Sequence, residues 1–365
     1  MLVNFAKVET GDTAFDNMIN GSLDLATKRY SGEKIDEADY AKKNADLLVN
    51  IGANITADDK YAAKTFAAVG LRAFRDPMVV RCASVHRNFD VIISQITTAV
   101  IPTVVNDVYS KFLAEVHNGG WGDTGRFIIE SNDLFKVNLK AEGVRAGVQQ
   151  PMYNDEFTLN AKDYEISTGV DWYNLAAGVF DIGNFALKIG RSFEAHIFLK
   201  IIAAMISASS EFGAAYNTNG VTPTLWGTLA QRVSAANGGM SVVAIGTKVA
   251  LSNVSLLQNF QIQIGEEMNK VGYLDQYLGI PLVAIENVII PGTVNSSAAL
   301  AISDKIIYMI PMGGSRPVKI FMEGNQVSLE EDTTHTSDRE YRFWVDLHYE
   351  VSAIVGYKYG TITLA

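Results

Sequence analysis

Three groups of residues carry atoms that could support chemistry. A glycine-rich run at residues 117–125 could present backbone amides to an anion. An acidic run near the C-terminus could hold a metal ion through its carboxylates. It consists of Glu330, Glu331, Asp332, Asp338 and Glu340. His196, in an apolar stretch, has a side chain that binds metals or transfers protons.

Each group has a structural interpretation that the sequence favours. The glycines of 117–125 suit a connection between a helix and a strand, because such a connection needs positive φ. Charged side chains are mostly solvated, so the acidic run is expected to be an exposed loop between strands. A histidine in an apolar helix is more often a core residue than a ligand.

The familiar catalytic motifs are absent from the sequence. There is no Gly-Lys dipeptide and hence no phosphate-binding loop, and neither H-E-x-x-H nor G-x-S-x-G occurs. The five histidines form no pair at helical spacing, and the single cysteine, Cys82, excludes an internal disulfide and a cysteine-based zinc site. We therefore expect no catalytic residues, no metal and no cofactor.

Composition narrows the class of protein further. The 365 residues include 40 acidic and 30 basic side chains, a formal net charge of −10, and 48% are hydrophobic. A chain this apolar can bury a core, which excludes general disorder. The acidic balance argues against a dedicated nucleic-acid binder. No run of about 18 apolar residues indicates a membrane segment.

The N-terminal part of the chain predicts an arm followed by helices. The first ~30 residues lack a sustained apolar period and contain Gly11 and Gly21, which indicates an extended arm. Residues 36–117 show mainly helical spacing. Within them, Thr56 and Asp59 form the pattern of a capping box at the start of one helix.

A period of two follows, which predicts a long β-ribbon. Apolar and polar residues alternate over Phe135–Ala141 and again over Phe157–Ala161. Two strands alone are only marginally stable in water, so the ribbon is expected to rest on something else, for which another subunit is one candidate.

The rest of the chain predicts a helix, an α/β unit and strands. Asp181–Ser210 reads as one long helix, and residues 222–311 as an α/β unit that opens with the cap Thr222-Pro223. Alternation over Tyr341–Val355 predicts a C-terminal strand. Its expected partner is Val318–Leu329, broken at Gly324.

This order of elements resembles the HK97-fold major capsid proteins of tailed bacteriophages. The parts of that fold are an N-arm, an E-loop, a peripheral (P) domain with a spine helix, and an axial (A) domain. Local sequence supports the likeness from residue 120 onward. The segments that carry it are Lys162–Ser167 with Val170–Tyr173, Leu187–Ser209, Ser241–Gly246, Gly272–Leu274 and Leu278–Val283.

The resemblance implies an α+β, HK97-like capsid fold with six segments. They are an N-terminal arm at 1–35, a helical region packing with the P domain at 36–117, the E-loop ribbon at 118–170, the P-domain spine helix at 171–215, the A domain at 216–316 and the P-domain C-terminal strands at 317–365.

The same resemblance implies a structural role. A capsid protein of this kind would self-assemble as pentamers and hexamers into an icosahedral shell around double-stranded DNA, with non-specific proximity to that DNA. Scaffolding, portal and decoration proteins are the expected further partners, and no membrane is involved. The chain would be assembled in the host bacterial cytoplasm and end in the virion capsid.

The ribbon and the acidic run are the expected contacts between subunits. The residues concerned are Arg126, Lys140, Arg145, Tyr153, Glu156, Glu330, Glu331 and Arg339. Lys140 would also suit the isopeptide crosslink of some relatives, but no local signature predicts one. Two other readings stay open at this point: an encapsulin-like nanocompartment shell, and an α+β enzyme.

Overall fold

The chain forms two compact units that both contain helices and strands, which confirms the α+β class. The computed structural model describes residues 7–31, 36–109, 113–129, 134–139, 142, 155–255, 271–313, 316–324, 328–331, 340–354 and 356–364. The first unit comprises residues 1–108, 162–194 and 323–349, and the second comprises 109–161, 195–322 and 350–365. The finer division into six segments stays a prediction.

The first unit begins with a packed helix, so the expectation of an extended segment there was wrong. Helix α1 spans Thr13–Ser31 and buries Met18, Ile19, Leu23, Leu25 and Ala26. Gly21 lies inside the helix, where a Cβ atom would be 3.3 Å from the side chain of Leu47. The glycine therefore permits close helix packing and does not mark a break.

Four further helices and one 3₁₀ turn complete the N-terminal block. They are α2 (Glu37–Thr56), α3 (Lys60–Val69), the 3₁₀ turn Gly70–Arg75, α4 (Pro77–Val80) and α5 (Ala83–Tyr109). Asp59, and not Thr56, caps α3, because its carboxylate accepts a hydrogen bond from the Ala62 amide at 2.7 Å. Thr56 ends α2 and donates to the Gly52 carbonyl.

The helical block is also shorter than the sequence indicated. Its last predicted residues belong to strand β1, Ala114–Gly119. Glycine and polar residues at the end of this strand obscured its short alternation.

Aromatic side chains form the core of the first unit. Trp172 stacks on Phe74 at 5.4 Å between ring centroids and meets the edge of Tyr341 at 5.8 Å. Phe89 lies 5.2 Å from Tyr341 in a near-perpendicular arrangement. These rings come from the helical block, from α6 (Trp172–Ala176) and from a C-terminal strand, so they join distant parts of the sequence.

That C-terminal strand is the longest in the chain. Strand β12, Glu340–Ala353, pairs antiparallel with β4, Lys162–Asp171, and with β11, Ser328–Glu331. Alternate residues from Tyr341 to Val351 are buried, as the period of two predicted. Gly324, with φ of +72°, separates β11 from β10, Val318–Glu323, which confirms the predicted break.

The long helix is confirmed as α7, Ile182–Glu211. Ile189, Phe193 and Ile197 are buried along one stripe, as expected for a core helix. Length and composition alone would also allow this helix to span a membrane.

A polar network holds the first turn of α7 to the N-terminal helices. The Tyr40 hydroxyl donates to the Asp181 carboxylate, 2.9 and 3.0 Å from its two oxygens. The Arg29 guanidinium lies 4.4 Å from the centre of the Tyr40 ring and pairs with Glu37. Burial raises the pKa of Tyr40 to about 12, and the hydrogen bond to Asp181 adds to this effect against the opposing influence of Arg29.

The second unit contains a six-stranded sheet with helices packed on it. In spatial order the strands are β5 (Asn217–Asn219), β13 (Gly360–Thr363), β9 (Ile306–Pro311), β6 (Val242–Gly246), β8 (Ile280–Ala284) and β7 (Gln276–Tyr277). Helix α8, Pro223–Ala236, begins at Thr222, whose hydroxyl accepts from the Leu225 amide, as the sequence predicted. Helix α9 spans Lys248–Ser255. Trp226 and Leu229 of α8 are fully buried in the core of this unit.

The predicted strand at 282–290 is shorter than expected, since β8 ends at Ala284. Beyond it, an isolated bridge joins Ile289 to Leu300. The element order of ribbon, long helix, α/β unit and returning strands is the one that the HK97-like resemblance implied.

Candidate functional site

A two-stranded ribbon projects from a small apolar cluster in the second unit. Strands β2 (Gly125–Ile129) and β3 (Asp155–Leu159) pair antiparallel, with Phe127 opposite Phe157. Phe127 and Leu159 are buried together with Phe321 and Ile354, which come from outside the ribbon. The base of the ribbon is thus anchored by its aromatic residues. The second predicted strand, Phe157–Ala161, overlaps β3.

The first predicted ribbon strand was misplaced. Residues 134–139 have no helix or strand assignment, and the strand that pairs with β3 lies earlier, at β2. The exposed fractions of Leu134, Val137 and Leu139 are 93%, 98% and 101%, and that of Phe135 is 59%. The described part of this chain therefore leaves the apolar side chains of this alternating segment largely exposed. Residues 130–133, 140, 141 and 143–154 lie outside the described residues.

Two glycines shape the root of the ribbon. A Cβ atom at Gly119 or at Gly125 would lie 2.7 Å from the side chain of Phe321. That distance is too short for any larger residue unless the ring moves. Phe321 belongs to strand β10, Val318–Glu323, so the root of the ribbon is fixed to that strand.

The glycine-rich run joins two strands and not, as expected, a helix and a strand. It connects β1 to β2, and Gly122 has φ of +80°. The Asp123 carboxylate accepts a hydrogen bond from the Gly120 amide at 2.7 Å. A negative side chain already uses this amide, so the geometry gives no support to an anion site here.

A cluster of charged groups lies beside the root. The buried Lys319 ammonium pairs with one oxygen of Glu115, and His117 Nε2 lies 2.8 Å from the other. The His117 ring meets Phe127 edge-on at 4.7 Å, which connects the cluster to the ribbon. Burial raises the pKa of Glu115, but the hydrogen bond and charge of Lys319, with a smaller effect of His117, outweigh it and hold that pKa below its ordinary 4.5.

These elements border an open cleft of about 430 Å³. His117, Asp123, Arg126 and Phe321 are among the residues that line it. The surface of this cleft is mostly polar, and the described residues that line it form no converging set of catalytic groups.

The structure brings two of the eight predicted contact residues together. Arg126 Nε lies 3.5 Å from Glu156 Oε1 across the ribbon, and both side chains are exposed. Glu330 and Glu331 lie in strand β11, in the first unit, whereas the sequence predicted that this run is a loop between strands. Lys140, Arg145, Tyr153 and Arg339 lie outside the described residues.

The other candidate groups gain no chemical function from their surroundings. Within the described ranges, no three His, Cys, Asp or Glu side chains are close enough to hold a metal ion. Asp332 and Asp338 of the acidic run fall outside those ranges. Burial, with a smaller effect of Lys200, lowers the pKa of His196 below 6.5, so its neutral form is favoured at pH 7.

Sequence reasoning missed the most constrained residues of the site. Lys319 and Phe321 lie in a strand whose existence was predicted, but their partners are about two hundred positions away in the chain. The only signal in the sequence was a lysine in an otherwise apolar strand. When such a strand is buried, a partner must neutralise the charge of the lysine.

Comparison with known proteins gives one family match. A family model described as "SPbeta prophage-derived putative capsid protein YonB" matches residues 49–363. No curated protein shows significant sequence similarity to the chain.

Solved structures of low sequence identity are also similar. The mature capsid of bacteriophage PhiM1 is 7% identical, with a TM-score of 0.47 over 71% of this chain and 87% of that one. The capsid of a native GTA particle is 11% identical, with a TM-score of 0.48 over 73% and 90%. A virus-like particle from Pyrococcus furiosus is 11% identical, with a TM-score of 0.42 over 74% and 98%.

Proposed function

Because the chain belongs to the YonB family of prophage-derived capsid proteins, we propose that it assembles as pentamers and hexamers into a closed icosahedral shell around double-stranded DNA. The family match confirms the resemblance to phage capsid proteins that was drawn from the sequence. It makes the chain a structural component of a phage-like particle and not an enzyme.

One observation supports assembly through the ribbon. Leu134, Phe135, Val137 and Leu139 expose most of their side-chain surface, although large apolar side chains in one short segment are usually covered. A neighbouring copy would cover them in a shell. These apolar side chains would then be removed from water only in the assembled particle.

The contact residues predicted from the sequence belong to this proposal. Arg126 and Glu156 present opposite charges on the exposed face of the ribbon. Exposed ion pairs of this kind contribute about 0–1 kcal/mol each. This pair would therefore help to align the two subunits and would add little to their binding free energy. We retain the other six residues as proposed contacts on the basis of the resemblance.

The remaining partners also follow from the resemblance. Scaffolding, portal and decoration proteins would join the shell in the host bacterial cytoplasm, and the DNA would be enclosed without specific binding. The net charge of −10 supports this, because tight attraction to phosphates needs clusters of basic residues.

The test replaces Val137 and Leu139 together by serine. Burial of each side chain stabilises a contact by about 1.5–3 kcal/mol, so we expect the concentration needed for assembly to rise at least about 100-fold. The unfolding midpoint of the unassembled chain should not change, since both side chains are exposed. Asn138→Ser, in the same segment, is the matched control and should assemble like the wild type.

Light scattering and electron micrographs measure the outcome. Wild-type protein that stays monomeric under every salt, protein and scaffold condition would refute the shell. Normal shells from the double variant would refute the role of the ribbon. Particles purified from the host that contain a cargo protein and no nuclease-protected DNA would favour the encapsulin-like alternative.

A further inference from the structure

The hairpin between β7 and β8 carries a leucine in a conformation that leucine rarely adopts. Tyr277 pairs with Ile280, so Leu278 and Gly279 form a two-residue loop. Both have positive φ, 49° and 76°, as a type I′ turn requires. Asparagine or aspartate usually occupies the first position of such a turn, because a branched apolar side chain is strained there.

Packing within the described chain does not account for this leucine. Its side chain is 57% exposed, so it gains little burial in return for the backbone strain. Strained residues persist where the surrounding structure holds them in place, and they are frequent at binding sites. A leucine that is both strained and exposed indicates a partner that is absent from the single chain.

The hairpin holds Leu278 in a fixed position. Tyr277, directly before it, is buried, and its ring meets Trp226 edge-on at 5.5 Å. The Leu282 amide donates to the Asp275 carbonyl at 2.8 Å, which closes the hairpin stem. An anchor that is already ordered loses little entropy when it binds, so this arrangement favours binding.

The position of the hairpin makes the leucine accessible to another molecule. Strand β7 is the last strand at one edge of the six-stranded sheet. Strand β9 ends at the same end of the sheet, because Pro311 pairs with Val242 and β6 runs parallel to β8. Met312, which follows β9, is 39% exposed. Leu278 and Met312 are thus two exposed apolar residues at the same end of this sheet.

We propose that Leu278 is an interface anchor that inserts into an apolar site on a neighbouring copy of this chain. The inference rests on the proposed function, since in a shell each subunit meets copies of itself. An exposed apolar side chain that is already held in place adds the free energy of its burial to such a contact and loses little conformational entropy. Scaffolding or decoration proteins are the alternative occupants, and the test separates them.

The test replaces Leu278 by asparagine, which suits the turn but removes the apolar anchor. We expect the unfolding midpoint of the unassembled chain to rise by about 2 °C, because asparagine adopts positive φ more readily. The protein concentration needed for assembly should rise about tenfold, because a half-exposed leucine is no longer buried in the contact.

Two further variants serve as controls. Ala298 is the other non-glycine residue with positive φ in the described chain, at 46°, and it is exposed. Ala298→Asn relieves the same type of strain without removing a large apolar group, so it should assemble like the wild type. Leu278→Met keeps an apolar anchor and should assemble within about threefold of the wild-type concentration.

Each outcome decides between defined alternatives. Assembly of Leu278→Asn at the wild-type concentration would overturn the anchor, and so would a fall in its unfolding midpoint, which would mean that the leucine packs within its own subunit. Normal shells that lose only a second protein would assign the anchor to that protein and not to a second copy. Wild-type protein that forms no particles would refute the proposed shell and the anchor together.

Discussion

The ion pair at the ribbon root should respond very differently to the loss of each partner. The Lys319 side chain is 4% exposed, whereas that of Glu115 is 39% exposed. Glu115→Ala removes the carboxylate that pairs with this buried ammonium group. Lys319→Met leaves a carboxylate that water and His117 can still solvate, and it fills the same volume with an apolar side chain.

The burial of the two groups sets the expected magnitudes. Loss of the partner of a buried charge costs about 3–5 kcal/mol, so Glu115→Ala should destabilise the second unit by this amount. Lys319→Met should cost about 1 kcal/mol or less, because burial of the charge no longer opposes folding. The double variant should also lie close to the wild type.

Urea unfolding followed by hydrogen exchange in β1 and β10 measures these costs locally. With a slope of about 3 kcal/mol per molar urea, Glu115→Ala should shift the midpoint by about 1 M, and Lys319→Met by about 0.3 M or less. Equal shifts for the two single variants would refute the argument from burial. A double variant as unstable as Glu115→Ala would show that the buried charge is not the cause.

Two further predictions concern packing and pH. Gly125→Ala places a Cβ atom 2.7 Å from the Phe321 side chain and should destabilise the ribbon root by about 1–3 kcal/mol, measured by the same exchange experiment. Gly227→Ala is the control. The space around Gly227 is open, so this change should stabilise helix α8 by up to about 1 kcal/mol. Tyr40→Phe removes the hydrogen bond to Asp181 and should cost about 1.5 kcal/mol. The folded pKa of Tyr40, about 12, lies above the ordinary 10, so its contribution is complete below pH 10 and is lost between pH 10 and 12. Alkaline titration of stability should be shallower in the variant, and an unchanged titration would contradict this assignment.

Strong periodic patterns in the sequence predicted the elements that the structure confirms. The alternation over Tyr341–Val355 places the apolar residues on one face of a strand, and β12 buries that face. The long apolar stripe of α7 and the Thr222-Pro223 start of α8 were equally local signals, each fixed by the residues of one element. A long periodic pattern within one element is enough to predict that helix or strand without knowledge of its packing partners.

The errors occurred where packing with distant residues decides the structure. Helix α1 contains a glycine and several polar residues, but contact with α2 and α7 stabilises it. A Cβ atom at Gly183 of α7 would lie 3.0 Å from the Ala26 backbone, so this glycine allows the two helices to meet. The alternating residues 134–139 satisfied the pattern of a strand, but they have no partner strand within the described chain.

The candidate site was predictable in outline and not in detail. The sequence indicated an exposed ribbon that needs a neighbour, and residues 134–139 have the exposure that such a contact requires. The Lys319–Glu115 pair and the contact of Phe321 with two glycines depend on three-dimensional proximity that no local pattern records. Leu278-Gly279 was visible as a sequence pattern, but the positive φ of the leucine was not.

The two exposed apolar regions would have different roles in assembly. The segment 134–139 offers a large apolar surface without regular secondary structure, and a contact that immobilises its exposed side chains loses part of its binding free energy to their lost rotamer freedom. Leu278 offers a small surface that its hairpin already orders. A rigid contact can form first at little entropic cost, and it raises the effective concentration of the ribbon beside its neighbour. Loss of Leu278 should therefore slow the start of assembly more than it weakens the finished shell, whereas loss of Val137 and Leu139 should weaken the shell itself. Time-resolved light scattering separates the two effects, because loss of Leu278 should mainly lengthen the lag, with a small fall in the plateau, whereas loss of Val137 and Leu139 should mainly lower the plateau.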